Sequence, residues 1–120
     1  MTEQRRPFAH DAVLSMEADG DVGAPGATIT VALCGHWDHE PPCPLAPHHT
    51  AAARVDGEVR LRTLFVVEPA RESEVRARIR AALQAGAIVS GDGRRARWRL
   101  CSDGASSVRE EEADHARHLG

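Results

Sequence analysis

The dipeptide Asp56-Gly57 is the strongest constraint on the fold of this chain. Alternating segments flank it at residues 50–55 and 58–67, and Asp-Gly favours the type I′ turn that joins two antiparallel strands. The residues that share the parity of a buried face in the second strand are Val59, Leu61, Phe65 and Val67. This region therefore predicts a β-hairpin with one face in the core.

A helix is predicted directly after the hairpin. Pro69 suits the first turn of a helix, and Gly86 suits the position just past its end. Between them, apolar residues recur at the spacing i, i+4, i+7 and i+8 that forms one helix face. These residues are Val75, Ile79, Ala82 and Leu83. The helix should bury this face against the sheet.

Other segments extend the predicted sheet. Residues 27–34 alternate between apolar and polar side chains and predict a strand. Residues 87–90 and 95–101 predict a last hairpin across Gly91-Asp92-Gly93. Residues 8–17 are mildly apolar and fit either a strand or a short helix.

Together these elements predict an α+β fold, in which a small, mostly antiparallel sheet has one main helix packed on one face. The order of elements is similar to a ferredoxin-like fold in which a Cys/His-rich loop at residues 34–49 takes the place of the first helix. With a length of 120 residues, a single domain is expected over residues 1–101. Residues 102–120 should form a polar C-terminal tail. A fold of this kind does not by itself determine function.

The ends and composition of the chain bear on its location. Residues 1–7 are polar and no apolar segment of a secretory signal follows them. No apolar run approaches the ~20 residues that a transmembrane helix needs. We therefore expect a cytoplasmic protein with no membrane partner. In that compartment, clustered cysteines and histidines are more often metal ligands than disulfides.

The loop at residues 34–49 holds most of the unusual chemistry. It contains two of the three cysteines, four of the seven histidines and four of the seven prolines. Thiolate and imidazole are the ligands that zinc and copper prefer, and prolines lower the entropy lost when a loop is ordered. The candidate metal ligands are Cys34, His36, His39, Cys43, His48 and His49. The loop therefore predicts a metal site.

Strand geometry indicates which of these residues would share the inner shell. Cys34 and His36 are two positions apart at a predicted strand end, so they should lie on the same side. His48 and His49 are adjacent and should lie on opposite faces, with His48 on the more polar side. The predicted inner shell is Cys34, His36, Cys43 and His48, with His39 and His49 as substitutes. A Cys2His2 set is typical of a closed zinc site.

Zinc is the expected ion, and Cu(I) or an Fe–S cluster are the alternatives. The pattern leaves open whether the metal serves structure, storage, delivery or sensing. A metalloenzyme or an Fe–S redox protein that uses the same loop is the alternative function. No well-placed general base or substrate-binding glycine loop is visible in the sequence, which disfavours an enzyme.

A second alternative is an interaction module that uses the arginine-rich strand at residues 94–99. Arg95, Arg97 and Arg99 should face outward, whereas Trp98 has the parity of the buried side. The net charge of −3 supplies no general attraction for nucleic acid, so nucleic acid is disfavoured as a partner. A protein partner or a homo-oligomer is left open.

The cysteine and histidines outside the loop carry weaker signals. Cys101 ends a predicted strand and is expected to pack. His10, His115 and His118 are isolated in sequence. Each is expected to be solvated or satisfied by local partners.

Overall fold

The computed structural model describes residues 5–17, 20–34, 48–89 and 95–117. Strands and helices alternate along the chain, with a short 3-10 turn at Pro69–Arg71 before the second helix. The elements are β1 Arg6–Met16, α1 Ala24–Cys34, β2 His48–Val55, β3 Glu58–Val67, α2 Glu72–Gln84, β4 Ala87–Val89, β5 Arg95–Ser106 and α3 Glu110–Arg117.

The strands form an antiparallel sheet in the order β2-β3-β1-β5-β4. Helix α1 connects β1 to the edge strand β2, and α2 connects β3 to the last hairpin. This is a ferredoxin-like β-α-β-β-α-β order with β4 added before the last strand. The predicted α+β class, with a small antiparallel sheet and helical packing on it, is confirmed.

The core lies between the sheet and the pair α1 and α2, which contact each other. Its most deeply buried side chains are contributed by both helices and by the two central strands. They include Leu14, Ile29, Leu33, Val59, Phe65, Val75, Ile79 and Leu83. The indole Nε1 of Trp98 donates a 2.9 Å hydrogen bond to the carbonyl oxygen of Leu83, which joins β5 to α2.

The predicted hairpin is confirmed, and β2 begins at His48 rather than at residue 50. Asp56 and Gly57 have φ angles of 52° and 82°, as a type I′ turn requires. The four residues predicted for the core face of β3 are all buried. The turn chemistry and the alternation therefore fixed the register of this pair.

The predicted helix is also confirmed, and its apolar stripe is buried. Gly86 follows the end of the helix and has a φ angle of 72°. Its carbonyl oxygen accepts a 2.9 Å hydrogen bond from the backbone nitrogen of Trp98. A Cβ at this position would lie 2.9 Å from the carbonyl oxygen of Trp98. Both the left-handed φ and this close approach require glycine.

The prediction of a strand at residues 27–34 was wrong, because these residues lie in α1. Ile29 and Leu33 are both buried. They are four positions apart, so they satisfy a helical period as well as an alternating one. Pro25 lies in the first turn, where its missing N–H is tolerated, and Val31 falls on the exposed side. The first helix is therefore present, and the Cys/His loop does not replace it.

Residues 8–17, which fitted either element, form most of the central strand β1. His10, Ala12 and Leu14 face α1 and α2, whereas Ala9 is buried on the opposite face. A strand covered on both faces loses the clean alternation of apolar and polar residues. This explains why the sequence did not distinguish a strand from a helix here.

The predicted domain boundary at residue 101 falls inside β5, which pairs with β1 as far as Ser106. A β-bulge shifts the register, since Val13 pairs with Ser102 and Leu14 pairs with Leu100. Cys101 lies at this bulge and is exposed, so the expectation that it packs was wrong. Part of the predicted tail is therefore a sheet strand.

Helix α3 lies on the sheet face opposite α1 and α2, where it contacts β1 and β3. Arg62 attaches it through bonds of 2.6 Å from Nε and 2.6 Å from Nη2 to the two carboxylate oxygens of Glu112. Arg62 also donates to Asp11 at 2.9 Å and to the carbonyl oxygen of Ser107 at 2.6 Å. Glu112 caps its own helix by accepting a 2.9 Å bond from the backbone nitrogen of Arg109.

This ion pair shifts the pKa values of both Arg62 and Glu112. The hydrogen bond from Arg62, together with the cap from Arg109, lowers the pKa of Glu112 to about 2. The hydrogen bond to Glu112 raises the pKa of Arg62 above its ordinary value. The attachment of α3 therefore depends on an ionised Glu112.

We expect Glu112→Gln to loosen α3 while the rest of the sheet stays folded. The change removes a charge-assisted bidentate contact, and hydrogen bonds to charged groups contribute roughly 1.5–3 kcal/mol. Hydrogen exchange measured by NMR should accelerate at residues 110–117 and not at residues 59–67. Glu111→Gln is the matched control, because Glu111 is an exposed neighbour in the same first turn. Equal effects of the two changes would contradict this role.

The same attachment should depend on pH. Glu112 has a folded-state pKa of about 2, whereas an unperturbed glutamate has ~4.3. Its contribution is therefore complete above about pH 4.5 and is lost as the pH falls toward 2. The hydrogen-exchange protection of α3 should follow this pH dependence in the wild-type chain. Most of the pH dependence should be absent in Glu112→Gln. An α3 whose protection does not change over this range would overturn the assignment.

Candidate functional site

The structure describes both ends of the predicted metal loop. Cys34 is the last residue of α1, and His48 and His49 are the first residues of β2. The candidate ligands that lie outside the described residues are His36, His39 and Cys43. The arrangement of the full ligand set therefore stays a prediction.

A hydrogen bond joins the two elements that flank this loop. Thr30 Oγ1 in α1 lies 3.1 Å from Nε2 of His48 in β2. Cys34 ends α1 one helical turn after Thr30. The chain thus leaves α1 one turn beyond the residue that contacts His48, and it returns at His48.

The adjacent histidines of β2 occupy opposite faces of the strand, as predicted. His48 is half-buried against α1, and Thr50 on the same face has its hydroxyl 3.1 Å from that of Thr63. His49 is exposed on the other face. Strand geometry therefore gives the two rings different neighbours, while the choice of His48 as ligand stays a prediction.

One premise of the ligand prediction was wrong. Cys34 and His36 were placed on one side because both were expected at a strand end. Cys34 instead ends a helix, so the alternation of a strand does not apply to it.

Among the described residues, no group of three or more histidine, cysteine, aspartate or glutamate side chains is placed to hold a metal ion. The described helices also include none that is long and apolar enough to cross a membrane. No protein-family model matches this chain, and no curated protein matches it significantly. Function must therefore be argued from the residues themselves.

A buried histidine network lies on the same sheet face, beneath α2. His10 is 2% exposed, and its Nε2 lies 2.7 Å from Oδ2 of Asp103 in β5. Arg76 of α2 donates to Nδ1 of His10 at 3.1 Å, and Arg80 donates to Asp103 at 3.0 Å. Because a guanidinium can only donate, Nδ1 must accept, and Nε2 carries the proton that is donated to Asp103.

The expectation that His10 is solvated or satisfied by local partners was wrong. Its partners are 66 and 93 positions away in sequence. No local pattern could identify them, although an isolated histidine in an apolar segment indicates a buried polar group. Both ring nitrogens are bonded to protein groups, so this cluster stabilises the packing of α2 and does not present an acid or base to a substrate.

The carboxylate of Asp103 experiences opposing effects. Burial raises its pKa, but hydrogen bonds from His10 and Arg80 and the charge of Arg80 outweigh burial and hold the pKa below its ordinary value. Arg76 is anchored as well, since it lies 5.3 Å from the ring centroid of Phe65 and donates to the carbonyl oxygen of Ala9 at 2.8 Å. The network therefore connects β1, β5 and α2.

The arginine-rich strand is exposed as predicted at Arg97 and Arg99, and Trp98 between them is buried. Arg60 of β3 is exposed on the same sheet face, and Glu58 adds a carboxylate there. The described part of this face therefore carries guanidinium groups beside a carboxylate. Nucleic acid as a disfavoured partner stays a prediction.

We expect Asp103→Ala to destabilise the fold by roughly 1–3 kcal/mol, because it leaves the buried Nε2–H of His10 without its acceptor. Urea unfolding followed by tryptophan fluorescence would measure the loss. Ser102→Ala, at an exposed neighbour in the same strand, should change stability by a few tenths of a kcal/mol at most. A neutral Asp103→Ala would show that the network contributes nothing to stability.

Proposed function

We propose that this chain binds a transition metal through residues 34–49, with zinc as its native ion. The observation that carries the proposal is the 3.1 Å hydrogen bond between Thr30 and His48. It holds a candidate ligand at one end of the loop against the helix that supplies Cys34 at the other end. Two of the proposed ligands therefore belong to elements that are already packed together.

The chemistry of the loop supports the same function. Its thiol and imidazole donors suit zinc and Cu(I), whereas harder ions prefer oxygen ligands. Its four prolines reduce the conformational entropy that ligation must overcome. The inner shell that we propose is Cys34, His36, Cys43 and His48, with His39 and His49 as substitutes.

A closed site with two thiolates and two imidazoles favours a structural, storage, delivery or sensing role over catalysis, because catalytic zinc keeps an open position. A metalloenzyme or an Fe–S protein is the alternative for the same loop. Elemental analysis of the purified chain separates these alternatives. Zinc at about one equivalent per chain supports the proposal, whereas iron with acid-labile sulfide would support a cluster.

We expect Cys34→Ser and Cys43→Ser each to abolish tight zinc binding, because each removes a thiolate from the first coordination shell. Cys101→Ser is the matched control, since Cys101 is exposed on β5 at the bulge. Competition with a chromogenic zinc chelator would measure the affinities. If Cys101→Ser is as damaging as Cys43→Ser, the metal lies at a different site.

The histidines of β2 provide a second comparison. His48→Ala should weaken zinc binding more than His49→Ala, because the two rings lie on opposite faces of one strand and His48 faces α1. Equal losses of zinc affinity would mean that the orientation of the two rings on β2 does not determine which histidine binds the metal. A chain that takes up no zinc, copper or iron would end the metal proposal.

Removal of the metal should loosen residues 35–49 without unfolding the domain. Among the described residues, the buried core is supplied by β1, α1, β3, α2 and β5. This behaviour would differ from that of a zinc finger, which is unfolded without its ion. Hydrogen exchange with and without a chelator at pH 7 would test it. Loss of protection at residues 58–67 and 72–83 would show that the metal holds the whole fold.

An interaction surface at Arg60, Arg97 and Arg99 is the second candidate. Their exposure on one sheet face favours an anionic partner. The carboxylate of Glu58 on the same face weakens the attraction. Such binding would fall steeply with salt concentration, whereas zinc binding by the loop would not.

A further inference from the structure

The hydroxyl group of Thr30 has two hydrogen-bond partners. Its Oγ1 lies 3.2 Å from the carbonyl oxygen of Gly26, one turn earlier in α1. The same atom lies 3.1 Å from Nε2 of His48. A threonine hydroxyl has one proton to donate and lone pairs to accept with, so the two contacts must use it differently.

The atoms that carry a proton determine which group donates in each contact. The carbonyl oxygen of Gly26 has no proton, so the Thr30 hydroxyl must donate to it. The contact with His48 is then a hydrogen bond only if Nε2 carries a proton and Thr30 accepts it. In a neutral imidazole with Nε2 protonated, the lone pair that can bind a metal is on Nδ1.

We infer that Thr30 is a positioning residue that fixes His48 as the Nε2–H tautomer, so that His48 binds metal through Nδ1. The metal part of this inference rests on the proposed function, whereas the tautomer does not. Metal-binding histidines usually donate their second ring N–H to a fixed acceptor, which sets the tautomer and the orientation of the ring. The Thr30 hydroxyl supplies that acceptor.

The surroundings of Thr30 hold this acceptor in place. Its bond to the carbonyl of Gly26 and its β-branched side chain restrict its χ1 angle. Helix α1 also approaches β2 closely, because a Cβ on Gly26 would lie 3.3 Å from Cγ2 of Thr50. Thr50 lies two residues after His48, on the same face of β2. The distance from Thr30 to His48 is therefore set by backbone packing as well as by the hydrogen bond.

The test uses Thr30→Val, which keeps the branched shape and removes the hydroxyl group. In metal-free full-length chain at pH 8, long-range nitrogen–proton NMR spectra should assign His48 of the wild type to the Nε2–H tautomer. Thr30→Val should give a mixture of tautomers and a zinc affinity that is lower by roughly tenfold or more. Thr30→Ser, which restores the hydroxyl group, should recover both properties.

Thr28→Val is the matched control. Thr28 donates a 3.2 Å bond to the carbonyl of Ala24 from the same helix, and among the described residues it forms no hydrogen bond with a histidine. This change should leave the His48 tautomer and the zinc affinity unaltered. Equal effects of Thr28→Val and Thr30→Val would assign the result to a general loosening of α1 and overturn the inference.

The outcomes separate the positioning role from the proposed function. A wild-type His48 in the Nδ1–H form, in a chain that binds zinc, overturns the inference and leaves the metal proposal standing. An Nε2–H tautomer that depends on Thr30, in a chain that takes up no metal, supports the positioning role and ends the metal proposal. An Nε2–H tautomer that Thr30→Val does not change would overturn the role of Thr30.

Discussion

Two consecutive residues of the central strand β1, His10 and Asp11, each form a hydrogen bond with an arginine from another element. His10 and Asp11 are consecutive, so they lie on opposite faces of the sheet. His10 accepts from Arg76 of α2 at 3.1 Å, and Asp11 accepts from Arg62 at 2.9 Å on the face that α3 covers. These two residues of one strand therefore help to organise the attachment of two helices.

Arginine is suited to both positions. Arg62 bonds a glutamate, an aspartate, a serine hydroxyl and a backbone carbonyl at once, and Arg76 bonds a glutamate, a carbonyl and an imidazole. A planar guanidinium with five donors can satisfy several acceptors in fixed directions, whereas the ammonium of lysine is a point charge on a flexible stem. Substitution of lysine at either position would leave acceptors without a donor, which is costly for the buried groups.

The elements that the sequence predicted well are those in which local signals agree. The β2-β3 hairpin has both alternation and Asp56-Gly57, and α2 has both a helical stripe and Gly86. Helix α1 was misassigned because the spacing of Ile29 and Leu33 fits both periods, and the end of β5 was missed because Ser102–Ser106 has a polar composition that pairing overrides. For the candidate site, alternation predicted the opposite faces of His48 and His49, but it could not reveal Thr30 or the distant partners of His10. Those contacts depend on tertiary packing between elements.

Helix α1 differs from α2 and α3 in how it can be attached to the sheet. Its sequence, APGATITVALC, contains no charged residue, so it cannot use the guanidinium contacts that hold the other two helices. It is joined to the sheet by the apolar contacts of Ile29 and Leu33 and by the hydrogen bond between Thr30 and His48. Under the proposed function, a metal bound by Cys34 and His48 would connect the end of α1 to the edge strand β2. The metal would then attach α1 to the sheet, as Arg76 attaches α2 and Arg62 attaches α3. In each case a single group would bind partners from separate elements in a fixed geometry.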